Sequence, residues 1–349
     1  MRKFIFIWTI TVLLIGCKDH FDVGRIISQQ KLVVYCFPTV TDTTWINVSM
    51  SLPVNQKGKP ESVSDARITY LLNGQPQQVT PKGNGLYYTV CRQKTGDRIE
   101  LSVEKDGMDA ATASTSIPEA VKVKADTVVK VRVYNSYYEQ TEDYEQLAAT
   151  FADAKNTKNF YAVRVQQKAY NGEGIIRKGN TTWSLNYYDP ADKLAEWYWG
   201  DSVHVWSPIG TESEPLLHPT SKIDDAFGFD NNFYQNFYIF NDPSINGKTY
   251  TMHLNLKDYT SAHGGFQFFR RYRCVLYHIT PELYRFVKSI NDIENNKLAK
   301  AGMSQLPPTY TNVIGGAGVV AGYNSYTSAW KDMITGKNLF IGDDPHTYY

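Results

Sequence analysis

The sequence predicts an all-β protein, in which an N-terminal immunoglobulin-like β-sandwich precedes a larger β-sandwich-like domain with one or two helices. Its 349 residues include 25 Tyr, 16 Phe and 7 Trp, and most of them fall in segments where apolar and polar residues alternate. Such alternation, with Gly and Pro between the segments, is typical of strands joined by turns. The length also allows two domains, each with its own core.

The start of the chain resembles a bacterial lipoprotein signal. After two basic residues an apolar run spans 4–14, and Gly16 directly precedes Cys17. The run is too short for the ~20 residues that a membrane-spanning helix needs. We therefore expect a cleaved signal peptide over 1–16, a lipid on Cys17 that attaches the protein to a membrane, and a tether over 17–30. An ordinary signal peptide with an incidental cysteine is the alternative.

The charge distribution indicates no electrostatic partner. Removal of the signal leaves 34 basic against 35 acidic side chains, and the two signs are interspersed along the chain. Nucleic-acid-binding proteins carry a basic stripe or run, which this sequence lacks. Nucleic acid is therefore not an expected partner.

The segment 31–120 carries the pattern of an immunoglobulin-like sandwich, with short strands between turn residues. Asn73-Gly74 predicts a hairpin, because both residues tolerate positive φ. Cys36 and Cys91 fall in two of the strands, and a disulfide between them stays open, because sequence does not show how closely their Cα atoms approach. The predicted strands cover 31–37, 45–52, 66–72, 86–91, 98–103 and 111–117.

In the segment 121–349 the predicted strands are longer and their connections less regular. Tyr144–Phe151 is too short for a stable helix and is interpreted as a strand. A helix is predicted from Pro281 to Asn295 with Thr280 as its cap, and a short one from Pro190 to Glu196. Apolar residues repeat at helical spacing in the longer one: Leu283, Phe286, Val287 and Ile290.

Motifs of catalytic and cofactor sites are missing from the sequence. It contains no G-x-S-x-G, no H-E-x-x-H and no Walker A motif, and its 7 His are scattered. No catalytic residue, metal or cofactor is therefore predicted, although a triad built from distant residues would escape such a search. The oxygen-rich stretch does not fit the calcium-loop spacing and predicts a surface loop: Asp224, Asp225, Asp230, Asn231 and Asn232.

The glycine-rich segment Asn312–Gly322 lacks the strand, loop and helix of a nucleotide-binding loop. It predicts instead a strand or bulge that another backbone passes closely, since glycine leaves room there.

Trp197, Trp199 and Trp206 form the densest aromatic cluster. On a strand, Trp197 and Trp199 project from the same face. Two interpretations stay open: the three indoles pack in a core or domain interface, or they form a platform on which a sugar or peptide stacks. They are the candidate ligand-binding residues.

Several sequence blocks follow one another over most of the mature chain: Lys31-Leu32-Val33-Val34, Asp65-Ala66-Arg67-Ile68, Gly85-Leu86-Tyr87, Asp153 with Asn159-Phe160-Tyr161, Phe240-Asn241-Asp242-Pro243, Asn246-Gly247-Lys248, Thr280-Pro281-Glu282-Leu283-Tyr284, and Asn312 with Gly315, Gly316 and Gly318. In these blocks the chain resembles a family of Bacteroidota outer-membrane lipoproteins that is classed as a domain of unknown function. Members are often encoded beside TonB-dependent receptors. The resemblance implies a non-catalytic accessory lipoprotein at the outer membrane, working with a TonB-dependent transporter in nutrient uptake.

Three functions are compatible with these features of the sequence. The leading one is a non-enzymatic outer-membrane lipoprotein, on the cell surface or the periplasmic face, that binds a ligand or a transporter through its C-terminal domain. The second is a structural or adhesive surface protein. The third is a hydrolase whose acid, histidine and hydroxyl converge only in the folded chain.

Overall fold

The computed structural model describes residues 30–52, 59–135, 139–178, 180–185, 195–211, 213–219, 237–256, 267–295 and 308–332. The predicted signal peptide, Cys17 and the tether up to residue 29 lie outside these ranges. So do the oxygen-rich loop at 224–232 and residues 190–194 of the predicted short helix. Ala195 and Glu196, where that helix was expected to end, belong to a strand.

The described residues form strands and a single helix, which confirms the predicted all-β class. The strands up to residue 120 are β1 (Leu32–Cys36), β2 (Thr43–Met50), β3 (Arg67–Leu72), β4 (Gln75–Gln77), β5 (Val79–Gly83), β6 (Leu86–Val90), β7 (Arg98–Glu104) and β8 (Ala111–Ser116). Those up to residue 280 are β9 (Val123–Asn135), β10 (Gln140–Ala152), β11 (Phe160–Lys178), β12 (Thr181–Leu185), β13 (Ala195–Ser207), β14 (Ile209–Gly210), β15 (His218–Pro219), β16 (Tyr238–Asn241), β17 (Thr249–Leu256) and β18 (Gln267–Ile279). Helix α1 (Pro281–Asn295), β19 (Ala317–Val320), β20 (Tyr323–Thr327) and β21 (Lys331–Asp332) follow.

Two sheets form the N-terminal sandwich. Sheet A has the strand order β19-β1-β2-β6-β5, and sheet B has the order β4-β3-β7-β8. Every second residue points into the space between them, so that Val34 and Ile46 of sheet A meet Tyr70 and Leu101 of sheet B in one buried cluster. In β7, for example, the alternation read from the sequence is the alternation between buried and more exposed positions.

Asn73 and Gly74 form the predicted turn between β3 and β4. Their φ values are 52° and 79°, the left-handed conformation that these two residue types adopt most readily. The hairpin prediction is confirmed.

The structure contains no disulfide between Cys36 and Cys91. Both thiols are free, and Cys36 is fully buried in the core of the N-terminal sandwich. Burial raises the pKa of the Cys36 thiol well above its ordinary range, so the group stays protonated.

Two further sheets form the C-terminal sandwich. Sheet C has the order β14-β17-β10-β9, and sheet D has the order β15-β16-β11-β18-β20, with β12 and β13 also beside β11 and β21 beside β18. Leu147 and Met252 of sheet C pack against Val163 and Cys274 of sheet D. Tyr144–Phe151 lies within β10, as predicted.

Helix α1 joins the two sandwiches. It begins at Pro281 and ends at Asn295, as the apolar spacing predicts. Phe286 packs on Tyr35 of sheet A, with ring centroids 5.8 Å apart, and Tyr284 packs on Phe160 of sheet D at 4.8 Å. The layers therefore follow one another as sheet B, sheet A, helix, sheet D and sheet C. In the described part of the chain no helix has the length and apolarity to cross a membrane.

Thr280 does not cap α1 with its side chain, which corrects the prediction. Its carbonyl oxygen accepts a hydrogen bond of 3.1 Å from the amide of Tyr284. Its hydroxyl is buried and has no hydrogen-bond partner among the described residues. The fixed φ of Pro281 and the buried apolar face account for the start of the helix instead.

The chain returns to the N-terminal sandwich after α1. Strand β19 pairs in parallel with β1, with Val34 opposite Gly318. A Cβ atom at Gly318 would lie 2.2 Å from the carbonyl oxygen of Val34, and the φ of Gly318 is 94°. The close backbone approach predicted for this glycine-rich segment is thus confirmed. The predicted boundary at residue 120 stays a prediction, and β19 is a strand from beyond it that completes sheet A.

Replacement of Gly318 by Ala should lower the free energy of unfolding by roughly 3 to 5 kcal/mol, because backbone strain adds to a clash with another backbone. Gly107 is the control, since its φ of 80° is similar and nothing lies within 4 Å of an added Cβ. Gly107→Ala should cost only about 1 to 2 kcal/mol. Urea unfolding followed by tryptophan fluorescence measures both, and equal losses would contradict the tight β1–β19 contact.

His278 connects sheet D to the segment that leaves the N-terminal sandwich. Its Nδ1 lies 2.7 Å from the carbonyl oxygen of Glu119, and its ring lies 5.2 Å from the ring of Tyr161. Burial lowers the pKa of His278 below its ordinary value of 6.5, and the nearby Glu119 carbonyl and the Asp153 carboxylate only partly offset this.

Acid should therefore destabilise the protein through His278. Below about pH 6.5 the unfolded chain binds a proton at this position more readily than the folded chain does, so stability present above that pH is lost as the pH falls. Urea unfolding from about pH 7.5 to about pH 5.5 should show a smaller pH dependence for His278→Gln than for the wild type. Replacement of the exposed His253 by Gln is the control. If the free energy of unfolding of His278→Gln depends on pH as strongly as that of the wild type, His278 does not cause the acid destabilisation.

Candidate functional site

Three of the sequence blocks meet in a buried polar network at one end of sheet D. The Oδ1 atom of Asp153 accepts hydrogen bonds from Asn159 Nδ2 at 3.1 Å and from the Tyr161 hydroxyl at 2.5 Å, and its Oδ2 atom accepts from the Gly247 amide at 2.9 Å. The Oδ2 atom of Asp242 accepts from the Asn159 amide at 2.8 Å. Neutral donors thus satisfy both buried carboxylates, which is the arrangement of a structural network.

This network does not have the geometry of a hydrolase site. Burial and the adjacent Asp153 carboxylate raise the pKa of Tyr161 far above its ordinary value, so its hydroxyl donates to Asp153 and is not ionised. The nearby His278 bonds to the Glu119 carbonyl. Among the residues that the structure describes, no group of three or more His, Cys, Asp or Glu side chains is placed to hold a metal ion.

A second polar cluster has the features of a binding surface. It lies on the face of sheet D that also contacts α1, beyond the end of the helix contact, and is called here the Trp206–Trp330 row. Gln166 on β11 is paired with Trp206 on β13 and with Arg273 on β18, so the three side chains share one face. Trp330, just before β21, brings its ring to 4.4 Å from the Arg273 guanidinium.

Arg164 supports one end of the row. It precedes Gln166 by two residues on β11 and therefore lies on the same face. Its guanidinium lies 3.5 Å from the centre of the Trp206 ring, and only 4 % of the residue is exposed. Burial lowers the pKa of Arg164, while the adjacent Tyr277 hydroxyl acts in the opposite direction. This stacked cation therefore helps to fix the position of the Trp206 indole.

Arg273 lies at the centre of the row with most of its hydrogen-bonding capacity unused. Its Nε donates to Gln166 Oε1. In the described part of the chain no carboxylate forms an ion pair with it, and its Nη groups donate no further hydrogen bond. Arg273, Gln166 and Trp330 are all half-buried. A stacked ring and a hydrogen bond hold Arg273 in place, while its Nη groups remain free to donate. The guanidinium is therefore preorganised to bind a hydrogen-bond acceptor.

The three tryptophans of the sequence prediction differ in outcome. Trp206 lies in the row and packs against the core around α1, which supports the packing interpretation, and its part in ligand binding stays a prediction. Trp197 and Trp199 lie on the same strand, β13, opposite Gly174 and Gly172. Only their backbone is described, so their part in ligand binding stays a prediction.

Sequence reasoning missed Gln166, Arg273 and Trp330. One signal was available, because long polar side chains stand at alternate positions next to apolar residues in two strands: Arg164 and Gln166 in β11, and Arg271 and Arg273 in β18. Such alternation indicates a sheet face that is not fully covered by core. Trp330 gave no such signal, because its position follows from the tertiary fold alone.

Trp45 is a further exposed indole, on the outer face of sheet A. It is 47 % exposed, and its ring lies 5.3 Å from that of Tyr88. No cation among the described residues stacks on Trp45, so the Trp45–Tyr88 pair lacks the charged donors of the Trp206–Trp330 row.

Comparison with solved structures gives a distant likeness. The surface glycan-binding protein SGBP-B of the Bacteroides ovatus mixed-linkage glucan utilization locus, solved with a mixed-linkage heptasaccharide, is 9 % identical, with a TM-score of 0.17. The match covers 63 % of this chain and 50 % of that one, so the chain spans half the length of that protein. A TM-score this low carries no conclusion about fold or ligand.

Comparison with families gives a firm result. No curated protein matches the sequence. The family described as "Domain of unknown function (DUF4249)" matches residues 18–329, which is most of the 349-residue chain. The resemblance of the sequence blocks to a domain of unknown function is therefore confirmed, and the chain belongs to this family.

Proposed function

We propose that the protein is a non-catalytic binding lipoprotein of the outer membrane, and that it holds its ligand on the Trp206–Trp330 row. One observation carries the proposal. Two indoles flank an amide and an uncompensated guanidinium on one sheet face. Ligand sites combine aromatic surface with a few well-placed polar groups in this way.

The sheet geometry makes the row rigid. Gln166 and Arg273 project from β11 and β18, which are paired with each other over Phe160–Asn171, and Trp206 projects from the neighbouring strand. Side chains on paired strands are held more precisely than those on loops, so little ordering is needed when a ligand binds.

The attachment to the outer membrane rests on the sequence. The apolar run followed by Gly16 and Cys17 supports acylation of Cys17, and the tether up to Gln30 would then connect the lipid to β1. The resemblance to Bacteroidota lipoproteins supports a partnership with a TonB-dependent transporter, to which the protein would deliver its ligand during nutrient uptake.

Replacement of Cys17 by Ala should release the protein from the membrane fraction and abolish the incorporation of labelled palmitate, because the acyl chains would be its anchor. The matched control is Cys91→Ala, which removes a half-buried thiol of the folded part. Membrane partition of Cys17→Ala at the wild-type level would disprove the lipid anchor.

Purification of the wild-type protein from solubilised outer membrane should also recover a TonB-dependent transporter. Recovery of the protein alone would disprove that partnership.

Replacement of Trp330 by Ala should weaken ligand binding about 30-fold or more, since truncation of a Trp that dominates a binding site costs about 2 kcal/mol or more. Binding is measured by titration with a panel of neutral oligosaccharides, acidic oligosaccharides and short peptides. Trp45→Ala, which removes an exposed indole from the other sandwich, should bind as the wild type does. If no compound binds, or if both variants bind equally, the row is not the binding site.

A further inference from the structure

We propose that the ligand of the row is an oligosaccharide that carries carboxylates, such as one built from uronic acids, and that Arg273 binds a carboxylate through its Nη groups. The inference rests on the proposed function, because it names the ligand class of the same surface. Four steps support it.

The first step is the contrast among the arginines of β18. Arg270 pairs with Glu145, and Arg271 pairs with Asp332, whose Oδ1 atom lies 2.7 Å from Nε. Arg273 has no such carboxylate among the described residues. Arg273 therefore keeps Nη donors that a carboxylate of a ligand can accept from.

The second step is the orientation of Arg273. The ring of Trp330 covers one face of the guanidinium at 4.4 Å, and Gln166 holds the Nε edge. Because the ring covers only a face, the guanidinium can still donate hydrogen bonds within its own plane. The edge that Gln166 does not occupy carries the Nη groups. A carboxylate matches this edge with two parallel hydrogen bonds, which lysine cannot provide.

The third step is the neutral part of the row. Gln166 uses its Oε1 atom for Arg273, and its Nε2 amide makes no hydrogen bond to the described residues. An amide donor beside an arginine fork suits a ligand that has hydroxyl or carbonyl oxygens next to its carboxylate. Uronic acids place ring oxygens and hydroxyls in this relation.

The fourth step is the position of the row within sheet D. A peptide commonly binds a sheet by pairing with a free edge strand. Here β11 lies between β13 and β18, and β18 lies between β11 and the strands β20 and β21. Among the described strands, Gln166 and Arg273 therefore lie on strands that are paired on both sides, and a ligand over these two residues is recognised by side chains. With a strand spacing of ~4.8 Å, the two indoles lie on the order of 14 Å apart, a span suited to a short oligosaccharide.

The experiment compares acidic oligosaccharides with their neutral counterparts. Oligomers of galacturonate, glucuronate, mannuronate and guluronate are titrated into the mature full-length chain, each beside its carboxyl-reduced form. At least one acid should bind about 10-fold more tightly than its reduced form, because a charge-assisted bidentate contact is lost on reduction. Its affinity should also fall as the salt concentration rises.

Variants assign the effect to Arg273. Arg273→Gln should remove the preference for the acid, so that the acid and its reduced form bind with equal affinity. Arg273→Lys keeps a cation beside Trp330 without the fork, and should retain only part of the preference. Arg98→Gln is the control, because this arginine is exposed on sheet B, far from the row. If Arg273→Gln does not fold, the partial loss in Arg273→Lys still tests the assignment.

The outcomes separate this inference from the proposed function. If the acid and its reduced form bind equally and Trp330→Ala weakens both, the inference that Arg273 binds a carboxylate is wrong. The proposed binding function is then still supported. Row-dependent binding of acidic peptides alone overturns the saccharide. If no saccharide or peptide binds in a row-dependent manner, the proposed function fails together with this inference.

Discussion

The parallel contact between β19 and β1 is the constraint on which the arrangement of the rest depends. Gly318 is required there because the carbonyl oxygen of Val34 occupies the space of a side chain. The contact closes sheet A with residues from the far end of the chain. Since α1 lies between Ile279 of β18 and this returning strand, the same contact holds the helix between sheets A and D.

This arrangement also explains why one sheet face carries two kinds of surface. Near Phe160 the face of sheet D meets α1, and its side chains there are apolar. Farther along β11 the same face carries Gln166 beside Arg273 of β18, outside the contact with the helix. A binding surface next to a packed core gains rigidity from it without being covered.

Part of the candidate site was visible in the sequence. Trp206 was chosen because aromatic residues cluster near it, and a strand places such residues predictably. Arg273 was not chosen, because nothing in the sequence distinguishes it from Arg271, which pairs with Asp332. The two arginines differ only in the residues of other strands that lie beside them. The same holds for Trp330, which reaches the guanidinium from a connection after β20.

The sequence by itself determined the all-β class, the Asn73-Gly74 hairpin, the strand at Tyr144–Phe151 and the bounds of α1. These features follow from local rules, namely the period of apolar residues and the φ values that a residue tolerates. Only the tertiary structure decided that β19 joins sheet A, that Cys36 and Cys91 remain thiols, and that Arg273 has no carboxylate partner in the described part of the chain. Those outcomes depend on which distant segments become neighbours, and contacts between distant segments leave no periodicity in the sequence from which they could be predicted.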